Sequence, residues 1–248
     1  MPALTSAAVL RVGHKGADLI APGNTAPSFD AALAAGVDMI EFDVLISRDG
    51  ERRLLLAHDY EDAEGPTTLT LAQGLAHLGH ERFEGIELDV DVKLPGYERE
   101  VLAALRTAGL TQRALISTQH PASLAVFRTL EPSVRLGWSV PKLRRDPFRS
   151  RALALPALAA LQAARVGFPS RAATALHAGW CDAIMVHWRL VTPRLVRHVQ
   201  AAGGELYVWT VDEPERIRAL ARLGVTGVIT NDPRLFHGVA GVAPAGAS

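Results

Sequence analysis

Short apolar runs, rich in β-branched residues, alternate with Ala- and Leu-rich stretches along almost the whole chain. The runs have the length of buried strands, and most of the intervening stretches have the spacing of apolar residues that is typical of helices. The predicted strands are AVLRV (8–12), MIEFDV (39–44), IELDVDVK (86–93), ALIST (114–118), VRLGWSV (134–140), AIMVH (183–187), ELYVWTV (205–211) and GVIT (227–230). The predicted helices lie within 24–36, 97–109, 120–130, 192–204 and 213–224.

Eight strands that alternate with helices over 248 residues match the size and rhythm of a (β/α)8 barrel. The sequence therefore predicts the α/β class, a TIM barrel and a single domain over residues 1–248. An extra strand, LLLAH (54–58), is predicted after the hairpin-like turn SRDG (47–50). A doubly wound open sheet is the competing architecture, but no G-x-G-x-x-G follows the first strand, so a dinucleotide site is not supported.

The composition argues against several classes of partner. The chain has 26 basic and 26 acidic residues, so no net field attracts it to nucleic acid or to an anionic membrane. No stretch reaches the roughly 18 apolar residues of a membrane-spanning helix, and the N-terminus lacks a charged leader followed by a long apolar run. Cys181 is the single cysteine, which suits a reducing compartment. We expect a cytoplasmic protein without a nucleic-acid partner.

Glu41 and Asp43 stand in the second predicted strand, where ionised groups are expensive to bury. Side chains two residues apart on a strand point the same way, so both carboxylates share one face. In a TIM barrel the active site lies at the C-terminal ends of the strands. Two hard oxygen ligands aimed at one point there are the kind that Mg²⁺ or Ca²⁺ prefers. The pattern predicts a divalent cation beside these two residues.

Other polar residues fall at predicted strand ends. His14 follows the first strand, and His58 ends the extra strand. Asp91 and Lys93 share a face near the end of the third strand. All four groups are therefore predicted at the edge of the barrel where catalytic residues gather.

Some residues near these positions admit two interpretations. Glu87 and Asp89 share the face of Asp91, and this is more charge than a dry barrel interior holds. Glu87 is expected below the barrel, whereas Asp89 either pairs internally or acts as a further ligand. Trp209, in the seventh strand, is either core filler or a pocket wall. Asp212 is expected to cap the following helix.

Six short motifs resemble, in their order and spacing, those of the glycerophosphodiester phosphodiesterase family. They are GHKG (13–16), PGNT (22–25), EFDV (41–44), SRDG (47–50), AHD (57–59) and DVK (91–93). YVWTVD (207–212) and GVTGVITNDP (224–233) look like the last two strand segments of the same family. The resemblance spans nearly the whole chain and is weakest between about 120 and 180.

This resemblance implies a TIM barrel that uses a divalent cation, Mg²⁺ or Ca²⁺, to cleave small glycerophosphodiesters to glycerol phosphate and an alcohol. The implied acid–base pair is His14 and His58, and the implied metal ligands are Glu41, Asp43 and Asp91. Substrate or phosphate contacts are implied for Lys15 and Lys93, and Trp209 is expected to join them. Such residues suit the reaction, since a phosphodiester needs positive charge at phosphorus and two proton transfers.

The sequence departs from the family pattern at four positions. Lys15 stands where the family has Arg, which keeps the charge but loses the bidentate fork. Gly23 replaces the Glu of the family's P-E-N-T motif, so one carboxylate is missing. Asp91 replaces a Glu ligand, and Asn231 stands where the family often has Asp. A catalytically weakened barrel that only binds phosphate-containing ligands is therefore a second hypothesis, and a phospholipase-type, lysophospholipase D-like activity is a third.

Residues 141–171 are the least family-like part of the chain. Basic residues outnumber acidic ones there by seven to one. Because the segment follows the fifth predicted strand, it belongs at the rim of the active site. It is expected to form a cationic collar for anionic phosphodiesters, a weak docking patch for lipid head groups, or an ordinary solvated helix with an Arg-rich loop.

Overall fold

The computed structural model describes residues 8–65, 67–141 and 151–239, with the side chains of 151–156 excepted. Its nine strands are β1 Leu10–Gly13, β2 Met39–Ile46, β3 Leu54–Leu55, β4 Glu87–Val92, β5 Ala114–Thr118, β6 Arg135–Val140, β7 Ala183–His187, β8 Glu205–Trp209 and β9 Gly227–Thr230. Its helices are α1 Ala26–Ala34, α2 Tyr60–Ala63, α3 Leu71–Leu78, α4 Glu98–Thr107, α5 Pro121–Leu130, α6 Arg151–His177, α7 Pro193–Ala201 and α8 Pro214–Leu223.

Eight parallel strands close into a ring. Strand β1 pairs with β2 on one side and with β9 on the other, and the remaining strands follow in chain order, leaving out β3. Strand β3 is the predicted extra strand, and it pairs antiparallel with the end of β2. The predicted (β/α)8 barrel is confirmed, and the extent of the domain over 1–248 stays a prediction.

The apolar core has two parts, as the alternation of side chains along barrel strands requires. Outward-facing residues of the strands pack against the helices in a large cluster that includes Phe42, Val90 and Ile184. A smaller cluster fills the barrel itself: Val12, Met39, Leu115, Ala183, Met185, Tyr207 and Ile229. These residues form a packed apolar layer inside the barrel, beneath the polar groups at the C-terminal ends of the strands.

The N-terminal end of the barrel is closed by paired charges. Arg135 Nη2 donates to Glu87 Oε2 at 2.5 Å, and Arg135 Nη1 lies 3.5 Å from Glu205 Oε1. Glu87 therefore lies below the barrel interior, as expected from the crowding of charges on its strand. Its carboxylate lies at the opposite end of the barrel from the C-terminal strand ends, where Glu41, Asp43 and Asp91 lie.

Helices α2 and α3 were not predicted, and helix α6 was expected only as one of several alternatives for its segment. Helix α3 begins with a capping box in which Thr70 and Gln73 satisfy each other's backbone N–H groups, a sequence signal that identifies the start of a helix. Helix α6 takes up most of the basic segment, 141–171, whose residues 142–150 lie outside the described part of the chain. In the described ranges, no helix has both the length and the apolar composition needed to cross a bilayer.

Candidate active site

Four carboxylates line the inner face of two neighbouring strands. Strands β2 and β4 are parallel, and their register sets Glu41 opposite Asp89 and Asp43 opposite Asp91. Neighbouring strands lie roughly 4.8 Å apart, so the register alone brings these side chains close together. Ligand oxygens of Glu41, Asp43 and Asp91 all lie within 4.8 Å of one another.

Lys93 places its side-chain ammonium group among these carboxylates. Its Nζ contacts Asp43 Oδ1 and lies 2.6 Å from Asp91 Oδ2. Burial alone would lower the pKa of Lys93, but Asp43 and Asp91 raise it above its usual value, so the ammonium stays charged. Burial alone would raise the pKa of Asp43, but Lys93 and His58 hold it well below the usual range. Lys93 and Asp43 therefore form a buried ion pair.

The cluster contains four carboxylates and one lysine, so ionising all four would leave an excess of negative charge. Burial, together with the charge of Asp43, raises the pKa of Glu41 well above its usual value. Burial raises the pKa of Asp89 to about 7, although Ser117 Oγ donates to its Oδ1 at 2.6 Å. Asp89 thus makes the expected internal pair, while its Oδ2 is buried without a hydrogen-bond partner among the described residues.

The donor set fits a divalent cation. It offers three carboxylates, all hard oxygen donors of the kind that Mg²⁺ and Ca²⁺ bind. Asp91 Oδ1 is buried and has no hydrogen-bond partner in the described part of the chain. A dication would balance the excess negative charge and give that oxygen a partner.

Both predicted histidines lie beside these carboxylates. His14 Nε2 lies 3.9 Å from Glu41 Oε2, and His58 Nδ1 lies 3.4 Å from Asp43 Oδ2. Burial lowers the pKa of His14, which favours a neutral ring. The side chain of His58 is half exposed, at 50%. The two rings are therefore placed on different carboxylates of the same cluster.

A tight turn fixes the position of His14. Lys15 and Gly16, the next two residues, have φ angles of 49° and 85°, so the chain reverses directly after β1. A Cβ at Gly16 would lie 2.4 Å from Ser28 Oγ, so only glycine fits there. Ser28 Oγ donates to the Lys15 carbonyl and accepts from Ala17 N–H, which ties the turn to α1.

A cavity of about 170 Å³ opens above the cluster. Six of the predicted site residues line it: His14, Glu41, His58, Asp91, Lys93 and Trp209. Met185 and Ile229 add apolar surface. Trp209 is therefore part of the pocket wall, and its Nε1 is buried without a hydrogen-bond partner among the described residues.

Lys15 is the predicted site residue whose side chain lies elsewhere. It lines an adjoining cavity of about 400 Å³. Its Nζ lies 3.3 Å from Asp18 Oδ2, and its backbone N–H donates to Glu41 Oε2 at 2.7 Å. Burial opposes the shift, yet Asp43 and Asp18 raise the pKa of Lys15. Lys15 thus holds Glu41, a candidate cation ligand, through its backbone N–H and directs its ammonium to Asp18.

Gly23 is the position at which the sequence lacks the family's glutamate. Its N–H donates to Asp18 Oδ1 at 2.9 Å. A Cβ built there would lie 2.5 Å from Asp18 Oδ1 and 2.9 Å from Cβ and Cδ of Lys15. The Lys15–Asp18 pair therefore occupies the space that a side chain at position 23 would enter.

We expect Gly23→Glu to destabilise the fold rather than to restore a ligand. Crowding of this kind costs about 1–3 kcal/mol in free energy of unfolding, so the melting temperature should fall and cation affinity should not rise. Gly167→Glu is the matched control, because a Cβ at Gly167 meets nothing within 4 Å. Tighter cation binding by Gly23→Glu at an unchanged melting temperature would contradict this account.

Two supporting residues were not singled out from the sequence. Asn24 Nδ2 donates to Asp43 Oδ2 at 2.9 Å, and Asn24 Oδ1 accepts from Asp43 N–H at 3.0 Å. Ser117 holds Asp89, as described above. Asn24 has a φ of 60°, a left-handed conformation that asparagine tolerates better than most residues, and the PGNT motif is the signal that could have identified it.

The prediction that Asp212 caps the following helix was wrong. Asp212 does not cap α8, which begins at Pro214 with Glu213 as the capping residue. The carboxylate instead accepts hydrogen bonds from Thr230 Oγ1 and from both the backbone and side-chain nitrogens of Asn231. Parallel pairing of β8 with β9 brings the C-terminal ends of these two strands together, so Asp212 bonds to donors that follow β9 rather than to the start of α8.

The fold and the polar cluster define a barrel enzyme with a candidate cation site. A family model described as the glycerophosphoryl diester phosphodiesterase family matches residues 14–74 and 76–235. A glycerophosphodiester phosphodiesterase of Caldanaerobacter subterraneus subsp. tengcongensis is 25% identical, over 90% of this chain and 94% of that protein. The chain belongs to the glycerophosphoryl diester phosphodiesterase family, and it is therefore an enzyme of the phosphoric diester hydrolase class.

Solved structures agree with this assignment at the level of the fold. A phosphodiesterase from Oleispira antarctica, solved in complex with the product sn-glycerol-3-phosphate, has a TM-score of 0.66 and 19% identity, covering 92% of this chain and 94% of that one. A glycerophosphodiester phosphodiesterase from Agrobacterium tumefaciens has a TM-score of 0.65 and 20% identity, covering 92% and 99%.

Proposed function

We propose that this chain hydrolyses small glycerophosphodiesters to sn-glycerol 3-phosphate and an alcohol, with a divalent cation and two acid–base histidines. The observation that carries the proposal is a cluster of three carboxylates and Lys93, with His14 and His58 beside it, at the wall of one cavity. The product complex of the Oleispira antarctica relative supports the choice of substrate.

Glu41, Asp43 and Asp91 would hold the cation, Mg²⁺ or Ca²⁺. Bound there, it would supply positive charge to the phosphoryl oxygens as phosphorus becomes five-coordinate. Lys93 adds a fixed positive charge beside the same carboxylates, held by Asp43 and Asp91. Trp209 is proposed to offer the substrate a flat aromatic wall. Lys15 is proposed to attract the anionic substrate from the adjoining cavity.

The proton transfers fall to the two histidines. One takes the proton of the attacking hydroxyl, and the other gives a proton to the leaving alkoxide. The enclosed His14 and the half-exposed His58 suit this division, since the leaving alcohol must depart toward solvent.

The second candidate function is a barrel that binds phosphate-containing ligands without turnover. It is favoured by Gly23, which provides no carboxylate, and by the pairing of Lys15 with Asp18. A lysophospholipase D-like activity remains a proposal as well, together with contact of segment 141–171 with lipid head groups. The cytoplasm is the proposed compartment, in keeping with a single, buried cysteine thiol.

A substrate panel separates these candidates. We expect the purified chain with Mg²⁺ or Ca²⁺ to release sn-glycerol 3-phosphate from glycerophosphocholine or glycerophosphoethanolamine, measured by coupled oxidation of the product. Faster release of choline from lysophosphatidylcholine would instead indicate the phospholipase-type activity. Substrate binding by calorimetry without any product would indicate the binding-only barrel.

A further inference from the structure

Three residues form a hydrogen-bonded line that ends on His14. Asp212, after β8, accepts from Asn231 Nδ2 at 2.7 Å. Asn231, after β9, places its Oδ1 at 2.6 Å from His14 Nδ1. The backbones are fixed too, because His14 N–H donates to the Thr230 carbonyl and Leu19 N–H donates to the Asn231 carbonyl. The line therefore joins the last two strands of the barrel to the first.

The orientation of the Asn231 amide follows from Asp212. An ionised carboxylate only accepts hydrogen bonds, and Asp212 Oδ1 already receives Asn231 N–H at 2.9 Å and Thr230 Oγ1 at 3.0 Å. The Asn231 group that faces Asp212 must therefore be the donor, Nδ2. The amide oxygen is then left for His14, so the hydrogen-bond network itself assigns the two ends of the amide.

The orientation of the Asn231 amide also determines which ring nitrogen of a neutral His14 carries the hydrogen. An amide oxygen only accepts, so the hydrogen between Asn231 and His14 lies on the ring, at Nδ1. In the neutral imidazole the other nitrogen, Nε2, then carries a lone pair. That nitrogen is the one 3.9 Å from Glu41 Oε2, beside the cation ligands.

We propose that Asp212 and Asn231 are positioning residues that hold His14 as the Nδ1–H tautomer, so that its Nε2 accepts the first proton of the reaction. The reactive half of this inference rests on the proposed function. As the attacking oxygen bonds to phosphorus, its proton passes to His14 Nε2. The bond from phosphorus to the leaving oxygen breaks, and that oxygen takes a proton from His58. An acid residue orients a catalytic histidine in serine proteases by the same logic.

The tautomer can be read directly from ¹⁵N-labelled protein. Long-range ¹H–¹⁵N spectra distinguish protonated from unprotonated ring nitrogens, and the His14 signals are assigned by their loss in His14→Gln. We expect a protonated Nδ1 and an unprotonated Nε2 in the full chain at a pH where the ring is neutral. Asn231→Leu, which removes the acceptor, should shift the ring toward the other tautomer. An Nε2–H ring in the wild type would overturn the inference.

Kinetics supply the second readout. Asn231→Leu should lower kcat about tenfold or more, part of the roughly 10²–10⁴-fold that a proton-transfer group contributes, with KM nearly unchanged. The double exchange Asp212→Asn with Asn231→Asp keeps every donor opposite an acceptor, so it should retain the wild-type tautomer and most of the wild-type kcat. A merely structural role would instead lower the melting temperature of Asn231→Leu without shifting the tautomer of His14.

Two outcomes contradict the proposal: wild-type kcat in Asn231→Leu, or a double exchange as impaired as Asn231→Leu. A wild-type chain that hydrolyses no glycerophosphodiester would instead refute the proposed function, and the spectra of His14 would still decide whether Asp212 and Asn231 set its tautomer.

Discussion

Replacing Asp43 with asparagine is expected to abolish measurable binding of Mg²⁺ and Ca²⁺, and hydrolysis with it. Asp43 is fully buried, contacts Lys93 and belongs to the group of three carboxylates. Loss of a group that merely orients a ligand typically costs about 10–100-fold in metal affinity, so loss of a ligand should cost more. Calorimetric titration of the purified variant with each cation measures the effect.

Asp89→Asn is the matched control for Asp43→Asn. Both carboxylates are fully buried on neighbouring strands, but Asp89 lies outside the three-carboxylate group. The control should keep most of the cation affinity. Equal losses in both variants would indicate a general effect of charge rather than ligation, and wild-type affinity in Asp43→Asn would show that the ligand set is wrong.

Removing either histidine should lower kcat by about 10²–10⁴-fold, the usual contribution of one proton transfer. His14→Ala and His58→Ala should leave folding and cation affinity nearly intact, because neither ring belongs to the group of candidate ligands. The double variant should be scarcely slower than either single variant, since groups that act as a unit are not additive. Initial rates of glycerophosphodiester hydrolysis measure all three.

His198→Ala provides the control for these histidine variants. His198 is partly exposed on α7 and bonds to the carbonyl of Arg194 in its own helix. Its replacement should leave the rate unchanged. Equal rates for the wild type and both site-histidine variants would refute the assignment of the acid–base pair.

The sequence predicted the barrel because its strands are buried on both faces and therefore read as uninterrupted apolar runs. Three predicted strands, 114–118, 183–187 and 227–230, have the bounds found in the structure. The carboxylates were equally visible, since Glu41 and Asp43 interrupt such a run and a period of two places them on one face.

The partners of loop side chains could not be predicted in this way. Asp212 precedes a helix and was expected to cap it, but the pairing of β8 with β9 gives it the donors of Thr230 and Asn231. The pairing of the Lys15 ammonium with Asp18, three residues further along the same loop, was not predicted either, and the substrate contact of Lys15 stays a prediction. These contacts depend on side-chain directions in loops, which no hydrophobic period encodes.

We propose that a cation held by Glu41, Asp43 and Asp91 is required for hydrolysis. The most direct test is the release of sn-glycerol 3-phosphate from glycerophosphocholine before chelation, after chelation, and after Mg²⁺ or Ca²⁺ is added back. We predict that chelation stops the reaction, that at least one of the two cations restores it, and that neither restores it in Asp43→Asn. Full activity in excess chelator, with no metal left in the protein, would contradict the claim.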